Sequence, residues 1–141
     1  MTEKDLNQNE EKKIYLKKYI CAVRREQDIL EEIQQLRESK MFPSVVNDGM
    51  PHATDCKDLS DYAARLDQEI EKLKKQRLEN IRIYSDIKRK IDVMENDDQK
   101  DILNYRYIQC LKWEEICLKM GWCWSHTHRI HSLALKNFKM E

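Results

Sequence analysis

The chain has 141 residues, 37% of them charged, with 26 Lys plus Arg against 26 Asp plus Glu and a formal net charge of zero. Two glycines and two prolines are too few for the many turns of a sheet protein, so an all-α fold is expected. The neutral balance excludes a polyanion binder held by bulk charge, and any nucleic-acid contact must come from local placement of cations.

Residues 1–10 are polar and carry no evident cap, so a disordered N-terminus is expected. From Glu11 to Lys40 the apolar positions Ile14, Leu16, Tyr19, Ile20, Val23, Leu30, Ile33 and Leu36 recur at three- and four-residue steps. That spacing predicts a long amphipathic helix. Pro43 and Pro51 bracket a stretch containing Asp48-Gly49, which predicts a connector near 41–57. A second helix is expected from Asp58 or Ser60 to about Glu95, striped by Leu59, Leu66, Ile70, Leu73, Ile81, Tyr84, Ile87, Ile91 and Met94. Its length points to a coiled coil or long hairpin. Seven-residue steps from Leu59 meet Asn80, either a polar register-setting seam residue or simple drift of a 3.6 period. A connector of about fifteen residues favours an antiparallel hairpin over residues 11–95.

Asn96-Asp97-Asp98 breaks the stripe and offers an N-cap to a third helix running to about Gln109. Trp113 to Met120 reads as a short helix, and Gly121 as its left-handed stop. A second short helix opens near Cys123 and runs to about 137, with Thr127, Ile130, Leu133 or Ala134, and Phe138 on its buried side. Helix, tight turn and helix make a helix-turn-helix over 97–141, whose second helix would enter the DNA major groove. Trp124, Ser125, His126, His128, Arg129 and Ser132 fall on its outer face, with Lys136 further along. Ser, His and Arg at a helix N-terminus can donate to phosphates and base edges, and Lys136 to backbone phosphate.

The string from Ile102 to Phe138 resembles region 4 of bacterial sigma factors. The matching residues are Leu103, Arg106, Tyr107, Trp113, Glu115, Ile116, Cys117, Met120, Gly121, Cys123, Thr127, Ile130, Ala134, Leu135 and Phe138. With the helical N-terminal half and the Pro43…Pro51…Asp58-Leu59-Ser60-Asp61-Tyr62 connector, the chain is similar to small sigma-region-4-like proteins of unknown function. Those are encoded by phages and prophages of Gram-positive bacteria, near late-operon transcriptional regulators of the same build. The sequence departs from the region 4 pattern at Cys123, where Ser usually caps the helix, and in a recognition face richer in His and Trp than in Arg.

The resemblance implies a transcriptional regulator of phage or prophage genes with double-stranded DNA as its partner. It equally allows docking on host RNA polymerase, since region 4 does both. A phage DNA-packaging or structural accessory protein is the third reading. A homodimer is a further candidate partnership, with half-sites one helical turn apart.

Cys110, Cys117, Cys123, His126, His128 and His131 are spaced six to seven apart in their cysteines, unlike the Cys-x2–4-Cys of structural zinc. Free buried thiols and surface histidines are expected, with no metal and no cofactor. Carboxylates lie along helices opposite lysines and arginines, and no glycine-rich phosphate loop exists, so no enzymatic activity is expected. No apolar run reaches the roughly 20 residues of a membrane span. The N-terminus lacks a signal-peptide segment, and the odd number of cysteines, five, fits no complete disulfide framework, which together imply a cytoplasmic protein.

Overall fold

The computed structural model describes residues 2–41 and 55–141, with only the backbone for 40–41 and 55–58. Five α-helices follow one another: α1 (Glu3–Met41), α2 (Asp55–Asp92), α3 (Asp97–Leu103), α4 (Trp113–Met120) and α5 (Trp124–Asn137). The described residues contain no strand, and the fold is all-α. The predicted connector, with Pro43, Asp48-Gly49 and Pro51, lies largely outside the described residues.

The chain divides into two compact units, residues 1–22 with 80–141 and residues 23–79. This division differs from the one expected from sequence, because the ends of the hairpin helices belong with the C-terminal module. In the 23–79 unit, α1 and α2 pair antiparallel: Arg77 donates to Glu26 at 3.0 Å, while Glu32, further along α1, meets Glu69, further back along α2. Ile33 and Leu73 are the buried apolar residues of this seam. Leu59, in the sequence stripe, is exposed.

In the other unit the same antiparallel sense holds, with Tyr15 against Asp86 and Lys90 and Tyr19 against Tyr84. Its core joins Leu16 of α1, Ile87 and Ile91 of α2, Ile102 and Leu103 of α3, Tyr107, Ile116 of α4, and Ala134, Leu135 and Phe138. Burial of the Leu, Ile and Phe side chains among these contributes roughly 1.5–3 kcal/mol each. Ile14 and Ile81 point to solvent instead, one residue out of step with the seam.

Within the segment expected to be disordered, residues 2–10 are ordered, with α1 beginning at Glu3. The Thr2 hydroxyl and Asp5 carboxylate cap the first turn reciprocally, with Thr2 N–H donating to Asp5 at 3.2 Å. Asn9 is buried and donates to the Ser132 carbonyl at 3.5 Å. Lys12 donates to the carbonyls of Leu135 and Lys136 at 2.8 and 3.1 Å, placing a cation on the C-terminal end of α5. The tertiary docking of a polar segment is what a pattern of apolar residues does not reveal.

Asn96 caps α3 as its sequence context predicts, accepting from Gln99 N–H at 3.0 Å. The third helix, however, stops being α-helical at Leu103 and continues as a π-helical turn, Asn104–Ile108. Gln109 N–H reaches Asn104 carbonyl at 2.9 Å across the wider turn. Cys110 then takes a left-handed backbone (φ +57°), which costs about 1 kcal/mol for a side chain and ends the segment.

Candidate nucleic-acid interface

α4 begins with Glu115 accepting from the Lys112 N–H at 3.3 Å and ends at Gly121, whose φ of +69° is the left-handed conformation the sequence predicts. A Cβ at Gly121 would meet no atom within 4 Å, so the glycine serves backbone conformation alone. Trp122 N–H closes the turn on the Cys117 carbonyl at 3.1 Å. Cys123 precedes α5 as its N-cap but contributes no side-chain cap, in line with a thiol being a poor acceptor.

Thr127 locks the two helices together. Its fully buried hydroxyl donates to the Cys123 carbonyl at 2.9 Å and accepts from the Cys117 thiol at 3.2 Å. Thr127, His131, Ala134 and Leu135 form the buried side of α5, and Phe138 follows it. Leu133 is exposed, so Ala134 is the core member of that pair. His131 corrects the expectation of a surface histidine: it is 5% exposed and shares a 2.9 Å hydrogen bond with the Tyr107 hydroxyl. Burial first, and then the neighbouring Lys13, His128, Arg106 and Lys17, pull its pKa down to about 3.

The residues expected on the outer face separate into three groups. Trp124, Ser125, Arg129 and Lys136 are exposed. His126 and Arg129 engage each other, the guanidinium donating to His126 Nδ1 at 2.8 Å, while the Trp122 ring stands edge-on to the imidazole at 4.7 Å. His128 and Ser132 are half-buried, contrary to the outer-face expectation. Ser132 hydroxyl donates to the His128 carbonyl at 3.1 Å, and the His128 ring sits between Trp113 and Trp124, with centroids 4.4 and 4.5 Å away.

Trp113 is in turn 4.7 Å from His131 and carries the Arg106 guanidinium over its face at 4.8 Å. The result is a continuous run of contacts, Arg106, Trp113, His128, Trp124, from the π-helical segment to the exposed start of α5, with the His128 ring tilted 44° and 51° to the two indoles. Burial, then Arg106 and Lys13, lower the His128 pKa, which favours a neutral ring between them.

Sequence reasoning misses the cations that α1 and the π-helical turn contribute. Lys13, Lys17 and Arg106 all lie close enough to His131 to disfavour its protonation. Lys13 is ion-paired with Glu10 at 2.8 Å, whereas Lys17 and Arg129 are exposed. Only the recurrence of Lys13 and Lys17 on one helix face, four apart, is visible in the sequence.

Among the described residues no group of three or more His, Cys, Asp or Glu side chains gathers to hold a metal. Nor is any described helix long and apolar enough to cross a membrane. No curated protein and no solved structure matches the chain. Residues 39–139, covering α2 and the whole α3–α5 segment, match one family model, and the chain belongs to that family, described as a protein of unknown function (DUF1492).

Proposed function

We propose that this protein is a sequence-specific DNA-binding transcriptional regulator of phage or prophage genes, with α5 entering the major groove. The observation that carries the reading is the locked α4–α5 turn. Gly121 reverses the chain, Thr127 fixes the two helices, and the first two turns of α5 stay open with Trp124, Ser125 and Arg129 outward. Lys17 and Arg129 are exposed cations close to this helix and are available for phosphate contact. The resemblance to sigma region 4 rests on the same residues, including Arg106, Trp113, Ile116, Gly121, Thr127 and Ala134.

One feature favours a second reading, docking on host RNA polymerase. Leu118 on α4 is 83% exposed, an apolar side chain with no role in the fold of its own helix pair. The purified protein tested for a mobility shift on duplex DNA from upstream of its own operon, alongside a pull-down with host RNA polymerase, separates the two. A shift that competes with unlabelled specific duplex supports DNA reading. Polymerase capture that Leu118→Ser abolishes, without any DNA shift, overturns it in favour of docking.

A further inference from the structure

We infer that Trp124 reads the 5-methyl group of a thymine in the major groove, with His128 as the positioning residue that holds the indole outward. The inference rests on the DNA-binding reading above and gives it a chemical specificity. Trp124 is the first residue of α5 and is 52% exposed, the largest side chain at the open start of the helix. Of the polar candidates around it, the His128 ring lies between two indoles and the Ser132 hydroxyl is given to the His128 carbonyl, while Arg129 spends one donor on His126 and, like Ser125, stays exposed.

Ser125 and the remaining Arg129 donors are left for polar contacts near the start of α5, and the apolar surface exposed there is the Trp124 indole. In duplex DNA the bases present edges rather than faces to the major groove, so a helix-borne indole cannot stack on them. The one apolar feature of those edges is the thymine methyl group. The ring is also held in place from behind. His128 lies 4.5 Å from it, Trp113 lies 4.4 Å beyond His128, and Arg106 covers Trp113. Such a buttress lowers the entropy lost when the indole contacts DNA.

The test uses the full chain and duplexes selected by binding from a random-sequence pool, with each thymine replaced in turn by uracil, which lacks only the methyl. The expected result is one position at which uracil weakens wild-type binding about fourfold, the effect of burying one methyl group. Trp124→Ala should bind the thymine and uracil duplexes equally. His128→Ala should lose the discrimination and His128→Phe, which keeps a flat ring between the indoles, should retain it. Indifference of the wild type to every replacement, or full discrimination by Trp124→Ala, overturns the inference while leaving DNA binding standing. Failure to enrich any duplex from the pool overturns the DNA-binding reading and this inference with it.

Discussion

The Tyr107 hydroxyl and the His131 ring, 2.9 Å apart and both buried, meet where neither can hold a charge. Burial pushes the Tyr107 pKa up and the His131 pKa down to about 3, so the pair is a neutral hydrogen bond through the physiological range. It ties the π-helical turn to α5 from inside. Once His131 is protonated that site has to break or flood.

A pH dependence follows from this pair. An unfolded His131 takes a proton near its ordinary value of 6.5, the folded one only near 3, so acid favours the unfolded chain between those values. Stability should be full above about pH 6.5 and fall by at most about 1.4 kcal/mol per pH unit below it. Urea melts at pH 7.5, 5.5 and 4.5 check this, and His131→Gln should flatten the dependence while lowering stability at pH 7.5. A wild-type midpoint that is constant over the three would contradict the burial of the ring.

Asp86 sets a second, lower window. Its carboxylate accepts from Tyr15, and from Lys90 and Arg89 at 3.2 and 3.1 Å, and the Tyr15 hydroxyl above all holds its pKa at about 2. The carboxylate therefore stabilises the fold above its ordinary value of 3.8, and that contribution is lost as the pH falls toward 2. Tyr15→Phe should cost about 1 kcal/mol at neutral pH and move this acid loss upward. The measurement is thermal melting of the variant between pH 2 and 4, beside His131→Gln to remove the other window.

Gly121 tests the turn. Because no atom lies within 4 Å of its missing Cβ, substitutions there should cost backbone strain without a clash. Gly121→Asn should be the mildest, Gly121→Ala should cost about 1 kcal/mol, and Gly121→Val more, since β-branched side chains resist a φ of +69° most. Tryptophan fluorescence melts report the α4–α5 pair directly through Trp113, Trp122 and Trp124. An equal loss for all three substitutions would point to packing instead of conformation.

The hairpin seam has its own test at Leu66 and Leu73. Both share the apolar stripe of α2, but Leu73 is buried and Leu66 only half-buried. Leu73→Ala should cost about 2–4 kcal/mol and Leu66→Ala less than half of that. Nearby, Glu32 and Glu69 press two carboxyl groups together, which raises the Glu32 pKa, and the buried Glu69 Oε2 lacks a donor. Glu32→Gln supplies that donor and removes the like charge, so it should raise the melting temperature.

Helix content and the reversing turn were legible because they rest on local chemistry. The Asn96 cap, the Gly121 stop and the Thr127–Ala134–Phe138 face each follow from residue type and 3.6-residue spacing. The π-helical turn was not, because a one-residue widening leaves no compositional trace between Asn104 and Ile108. Leu16 docks through the apolar stripe, but the attachment of the polar segment before it was hidden, since Asn9 and Lys12 reach α5 carbonyls through hydrogen bonds. For the same reason His128 read as an outer-face donor. Its position is fixed by two tryptophans, one of them eleven residues before the helix begins.

The cations beside α5 should divide from Trp124 in what they contribute to DNA binding. Lys17 is exposed on α1, and Arg129 keeps donors free beyond the one given to His126. Neither is held in the fixed two-pronged geometry that guanine recognition uses, so both are expected on phosphate. Lys17→Ala and Arg129→Ala should each lower the slope of log affinity against log salt by about one, and weaken selected and scrambled duplexes alike. Trp124→Ala should leave that slope intact and narrow the gap between the two duplexes. Titrations of each variant against both duplexes at two salt concentrations give all the values needed. If Arg129→Ala instead weakens only the selected duplex, by about 1–3 kcal/mol, the guanidinium leaves His126 to read a base and its assignment to phosphate is wrong.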